Sequence, residues 1–403
     1  MCKLIKIQFI CFILACLFPG TAFSQQDSQK SGYIDVDGDR LYYEMAGTGD
    51  ETIVLIHDGI VHSIIWDNQF ETFSKKFKVV RYDRRGYGHS SKPEKNYSNI
   101  EDLYRVLTFL NIDKAILAGI SSGGRLVMDF TIAHPEKVSK IILVGAVVEG
   151  FPWSNHAQTR GGRLTAAHYA DNKKLLEYFI REDPYILATK NKDKKERLWT
   201  LVQNYSLNMD ISKAMLQIKP EKKTIDYLNE IKIPALIVIG EFDIPDVLIH
   251  AGVIESGIPN AQRVLILNAG HLVPYEQPEK FNKQFMRFIK STEFFQVLDN
   301  VGISAAVELF KRESSQDKSY LPFTEERIYD LGHQYLKEDK VEDTIELFKL
   351  YVTAYPESPY GYGGLGEAYI LHGDKELAVK NLKKSLAIYP GNKNAAENLE
   401  KLK

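Results

Sequence analysis

Short runs of consecutive apolar residues recur over the first 290 positions, and each predicts a strand covered on both faces. They are residues 52–57 (TIVLIH), 77–82 (FKVVRY), 115–120 (AILAGI), 140–147 (KIILVGAV), 234–240 (PALIVIG) and 262–268 (QRVLILN). Helical spacing separates them at 66–76, 98–110, 122–133 and 246–256, and a closing helix is predicted at 276–290. Ser98 and Glu101 form the N-terminal signature of the second of these helices. Strands alternating with helices predict an α/β domain with a mostly parallel sheet. Residues 33–36 and 40–46 flank Asp37-Gly38-Asp39 and predict a hairpin at one edge.

Two stretches break the alternation. Residues 148–228 lie between consecutive strands yet hold helix-like segments at 164–181, 193–206 and 210–217, too long for a connection. They predict an inserted helical cap, with Phe151, Trp153, Tyr169, Tyr178 and Trp199 as its bulky side chains. After Lys290 only helices are predicted. Leu331-Gly332, Tyr335, Thr344, Phe348 and Pro356 return 34 residues later as Leu365-Gly366, Tyr369, Ala378, Leu382 and Pro390. That is the tetratricopeptide period. The expected organisation is a core over 25–290, a helical linker over 291–323 and a repeat tail over 324–403, closed by a capping helix at 392–402. A concave face near Tyr335, Tyr362 and Tyr369 is the expected place for a protein partner.

The N-terminus changes the expected compartment. Lys3 and Lys6 precede an apolar run, Ile7 to Phe18, and Ala22-Phe23-Ser24 offers a small-residue cleavage site. Residues 1–24 read as a secretory signal peptide, with an apolar run too short for an ordinary membrane span. Ile13-Leu14-Ala15-Cys16 offers a second reading, a lipid anchor on Cys16. All three cysteines lie in this segment, so a mature chain would carry no disulfide and no thiol chemistry. With a net charge of −2 and no basic stripe, nucleic acid is not an expected partner. No metal-ligand spacing and no phosphate-cradling glycine loop stands out, and no cofactor is expected.

The candidate chemistry lies at the strand ends. Gly119-Ile120-Ser121-Ser122-Gly123 places one serine, flanked by glycines two residues either way, between strand 115–120 and helix 122–133. A turn that sharp leaves no room for flanking side chains and lifts the serine above the sheet. A serine hydroxyl needs a base, and the base an orienting group. His271 follows strand 262–268, Asp243 follows strand 234–240, and the order Ser121…Asp243…His271 is that of the α/β-hydrolase fold. Asp246 is a rival acid three residues on.

Residues 33–290 resemble an α/β-hydrolase of the small esterase, C–C hydrolase and cofactor-free haloperoxidase group. The resemblance is carried by Leu55-Ile56-His57-Asp58-Gly59 with Trp66-Asp67, by residues 82–90 (YDRRGYGHS), by the serine turn, by Gly240-Glu241-Phe242-Asp243, and by Gly270-His271 with Glu276-Gln277-Pro278-Glu279. It implies that Ser121 attacks an acyl carbon, His271 shuttles the proton and Asp243 holds the imidazolium. Backbone N–H groups of Ser122 and Gly59 would meet the oxyanion. The relatives carry His-Gly where this chain has His57-Asp58-Gly59. The Asp58 carboxylate could then face inward, against the oxyanion, or outward to solvent. His57, Asp83, Arg84 and His89 are expected to tie loops together. The leading expectation is an exported serine hydrolase of a small or medium ester or lactone. The same triad also suits C–C cleavage or peracid formation. A reading of another class is an interaction protein working through its repeat tail.

Overall fold

The computed structural model describes residues 29–160, 162–164, 171–188, 192–203, 216–318 and 320–402. The leader 1–24, Cys16 and Tyr169 lie outside the described residues. Eight strands form one sheet: β1 (Lys30–Val36), β2 (Asp39–Ala46), β3 (Thr52–Ile56), β4 (Lys78–Tyr82), β5 (Ala115–Ile120), β6 (Val138–Val144), β7 (Ala235–Gly240) and β8 (Ala261–Ile266). Their order is β1-β2-β4-β3-β5-β6-β7-β8. The hairpin strands are antiparallel, and pairing is parallel from β4 and β3 to β8. β3, β5 and β7 are buried along their whole length, as their unbroken apolar runs require. β8 is different. Its run of Val264, Leu265 and Ile266 reads as core, but β8 is the edge strand, and Leu265 and Leu267 are half exposed.

Helices α1 (Asp67–Phe73), α2 (Asn99–Phe109) and α3 (Ser122–Ala133) lie among the first strands. The inserted segment contributes α4 (Asn155–Thr159), α5 (Asn172–Glu177) and α6 (Lys192–Gln203). The expected helical segment at 210–217 falls largely outside the described residues. Leu198, Trp199 and Val202 of α6 join the apolar cluster that covers one face of the sheet. The turn Thr224–Glu230 leaves the cap: Thr224 hydrogen-bonds Asp129, and Leu228 is buried in the cluster on the other face. Helix α7 (Pro245–Gly257) joins β7 to β8.

The closing helix does not stop at 290. Helix α8 runs without a break from Pro278 to Asn300, because its apolar spacing continues through Phe288, Ile289, Phe294, Phe295 and Leu298. Phe281, Phe285, Phe288 and Ile289 belong to the sheet's cluster, whereas Phe294, Phe295 and Leu298 belong to that of the tail. Six further helices follow among the described residues: α9 (Ile303–Gln316), α10 (Glu325–Lys337), α11 (Val341–Ala354), α12 (Pro359–His372), α13 (Lys375–Ile388) and α14 (Lys393–Lys401). Contacts in this part repeat with the sequence. Thr324, Ser358 and Asn392, 34 residues apart, each cap a helix through the side-chain oxygen. Ser358 donates to the Tyr351 hydroxyl, and Asn392 donates to Ser385 one repeat later. A Cβ on Gly332 would meet Phe348 at 2.5 Å, and one on Gly366 would meet Leu382 at 2.7 Å. Tyr369 is buried in the tail's own core and so does not present the concave face expected of it.

Candidate active site

Ser121 sits between β5 and α3 at φ 54°, ψ −116°, in the left-handed half of backbone space that a residue with a Cβ rarely occupies. The turn persists because its surroundings admit only glycine. A Cβ on Gly119 would come to 2.5 Å from Gly123, one on Gly124 to 2.5 Å from Ala146, and one on Gly123 would strike the His57 carbonyl. The Ser121 N–H donates to Val144 O at the end of β6 (2.8 Å), which ties the serine to the neighbouring strand. Ser122 is the first residue of α3, so its N–H has no acceptor within the helix. Gly59 adjoins it, since a Cβ there would lie 3.2 Å from Ser122 Oγ.

His271 and Asp243 meet at the ends of β8 and β7. Nδ1 of His271 lies 2.7 Å from Asp243 Oδ1, and both side chains are buried. Asp243 Oδ1 also accepts the Ile244 N–H at 2.7 Å. Burial alone would lower the imidazole's pKa. The charge and hydrogen bond of Asp243, with the charge of Asp58, outweigh it, so the pKa is raised above the usual histidine value. Asp246 is engaged elsewhere, accepting from the backbone N–H and the hydroxyl of Ser154. That pair fastens the start of α4 to α7.

The inserted segment also holds the histidine. His271 N–H donates to Tyr185 O (2.7 Å) and Leu272 N–H to Ile186 O (3.2 Å). Sequence reasoning missed this. The only signal was the Asp183-Pro184 turn, where Asp183 Oδ1 accepts the Tyr185 and Ile186 N–H groups. Gly270 N–H donates to Glu276 Oε2 at 2.6 Å, which explains the glutamate after the histidine. Of the bulky cap residues, Trp199 and Tyr178 are buried, and Phe151 and Trp153 lie against the ring of His250.

The loops after β3 and β4 lock together. Arg84 N–H donates to His57 Nε2 (3.0 Å), so Nδ1 carries the proton and donates to Asp58 O (2.7 Å). Burial, then the nearby Arg84 charge, hold the His57 pKa well below the usual value, and the ring is neutral. Asp83 accepts N–H groups from Ser63 and His89 (3.0 and 2.8 Å). Burial opposes its ionisation, but His62 and the Ser63 contact hold its pKa below the usual carboxylate range. Arg85 forks onto Asp102 (2.8 and 2.9 Å) and reaches Asp39. Asp58 is fully buried, so the solvent-facing alternative does not hold. Its Oδ1 accepts the N–H groups of Ile60 and Val61, which folds the carboxylate back over its own loop.

An eight-stranded sheet in this order, with a strained serine at the turn after β5 and a buried His–Asp pair after β8 and β7, defines an α/β hydrolase. The chain belongs to the alpha/beta hydrolase fold family, whose sequence profile matches residues 52–278, more than half its length. It is a hydrolase of that family. A 2-hydroxy-6-oxononadienedioate/2-hydroxy-6-oxononatrienedioate hydrolase of Paraburkholderia phymatum is 29% identical over 269 residues, spanning 62% of this chain and 91% of the relative. Carboxylesterase YbfK of Bacillus subtilis is 24% identical over 252 residues, spanning 59% and 80%. Among solved structures, an N-acyl homoserine lactone degrading enzyme superposes with a TM-score of 0.54 at 26% identity. It covers 63% of this chain and 99% of its own.

Proposed function

We propose that the protein is a serine hydrolase that opens a small or medium carboxylic ester or lactone through an acyl-enzyme. The observation that carries this reading is Ser121 at its strained turn after β5, at the same end of the sheet as the buried His271–Asp243 pair that follows β7 and β8. Ser121 Oγ attacks the acyl carbon while His271 takes its proton. The tetrahedral oxyanion is held by the N–H groups of Ser122 and Gly59. His271 then returns the proton to the leaving alcohol, and water repeats the sequence to free the acid. Asp243 stabilises the imidazolium without becoming protonated. The likeness to the lactone-degrading enzyme and to the carboxylesterase supports this substrate class.

A second reading has its own support. The Paraburkholderia relative, at 29% identity, is named for cleaving a 2-hydroxy-6-oxo dienedioate, and the same three residues suit a C–C bond next to a ketone. Labelling with a fluorophosphonate probe tests the serine chemistry common to both. Wild-type protein should label, and folded Ser121→Ala should not, with turnover falling by about 10⁴-fold or more. Folded wild-type protein that resists the probe would remove the proposal. An ester and lactone panel run beside a dienedioate ketone then separates the two substrates.

We further infer export through residues 1–24, with a lipid on Cys16 as the alternative anchor. Helices α10 to α13 act as two tetratricopeptide units that bind a protein partner, a role supported by the 34-residue recurrence of their caps and glycine contacts.

A further inference from the structure

Two neighbouring arginines in the loop after β4 are treated very differently. Arg85 is paired with two carboxylates, Asp102 and Asp39, and holds the hairpin and α2 together. Arg84 is 5% exposed, yet among the described residues no carboxylate forms a salt bridge with it. Its Nη2 donates to two neutral oxygens, the Asp58 carbonyl (2.6 Å) and the Ser122 hydroxyl (3.0 Å). Its Nε is buried with no partner. One guanidinium thus joins the loop that carries Gly59 to the residue that follows Ser121. A buried cation without a counter-ion is costly and needs compensation nearby.

The matching anomaly is on the clamped residue itself. Asp58 is fully buried, and its Oδ2 is a second orphaned polar atom. Burial raises its pKa, and the Ile60 and Val61 N–H groups and the charges of His271 and Arg84 act in the other direction. An ionised Asp58 puts negative charge on the loop that carries Gly59, one of the two proposed oxyanion donors, and there electrostatics alone would slow the reaction. A fixed positive charge on the same loop offsets it.

We propose that Arg84 and Asp58 are a charge-compensating pair that positions the oxyanion loop, with Arg84 clamping Asp58 to Ser122 and cancelling the field of its carboxylate. Arg84 is a positioning residue, since it acts through the loop and through Ser122. The pair rests on the serine-hydrolase reading above. It also explains how a chain with Asp58 beside Gly59 keeps a working site.

The test is a double-mutant cycle on the full chain, read by turnover of an activated ester and by the rate of fluorophosphonate labelling. Arg84→Met should lower kcat by about tenfold to a hundredfold with KM changed by less than about threefold, because the loss is felt by the oxyanion. Asp58→Asn keeps the acceptor for the Ile60 and Val61 N–H groups while removing the charge. Added to Arg84→Met, it should restore about tenfold of the lost rate. Arg84→Lys, a point charge that cannot span both oxygens, should fall between Arg84→Met and wild type. Additive effects of the two substitutions, or unchanged kcat in Arg84→Met, would overturn the pair. Thermal melts separate these results from misfolding: if Arg84→Met does not fold, Arg84→Gln, which also removes the charge, with and without Asp58→Asn gives the same cycle. Failure of the wild type to label at all would instead strike the hydrolase reading.

Discussion

The imidazole of His271 and the carboxylate of Asp243 meet across Gly145, with Nδ1 2.7 Å from Oδ1. Gly145 stands at φ +50°, and a Cβ there would lie 2.9 Å from His271 Nδ1 and 3.0 Å from Asp243 Oδ2. The pair therefore keeps its geometry only while the residue after β6 has no side chain.

Gly145→Ala should disturb both partners at once. The positive φ should cost about 1–3 kcal/mol of stability. The displaced imidazole should cost on the order of a hundredfold in kcat. Calorimetry and ester turnover read the two effects separately. A variant with wild-type kcat would show that the pair does not need this alignment.

The raised pKa of His271 sets a pH dependence. The base must be neutral to accept the Ser121 proton, so kcat/KM should climb through an apparent pKa above the usual histidine value of about 6.5. Asp243→Asn removes the first cause of the upward shift and leaves burial in place. The limb should then move to lower pH while the plateau falls. Stability follows with the opposite sense. A histidine whose pKa is raised by folding stabilises fully below its unfolded pKa, and the benefit is lost as pH rises through the folded value. The melting-temperature gap between wild type and Asp243→Asn should therefore be wider at pH 6 than at pH 9.

Gly332 and Phe348 predict the behaviour of the tail. Alanine at a helical glycine gains about 1 kcal/mol of propensity. Here it would press on a buried ring at 2.5 Å, and overpacking of that kind costs about 1–3 kcal/mol. Gly332→Ala should lower the unfolding temperature and leave ester turnover unchanged. Phe348→Leu in the same chain should recover part of the loss, since Leu382 fills the equivalent place one repeat on. A stabilised single variant would contradict the close packing of α10 on α11.

How much of this was legible in the sequence depended on how local the cause was. The serine turn could be read because each of its glycines answers a backbone approach, and the strands because their apolar runs are unbroken. The tail could be read because the Gly332–Phe348 and Gly366–Leu382 contacts repeat with the residues. What escaped was set by distant neighbours. Whether Asp58 faces inward depends on the Ile60 and Val61 N–H groups and on Arg84, 26 positions away. The exposure of Leu265 depends on β8 being an edge, which pairing order alone decides. The hold of Tyr185 on His271 uses a carbonyl, a group every residue carries.

Helix α8 belongs to two cores, one on each side of Ile289. Its 23 residues span about 35 Å as one rod. A tail on a flexible tether would sample a sphere around the enzyme, diluting anything it held by the volume of that sphere. A tail built onto a rod shared with the sheet stays at one bearing and one distance. The partner proposed for α10 to α13 would then be aimed at a fixed face of the hydrolase, as a tool is aimed by its handle.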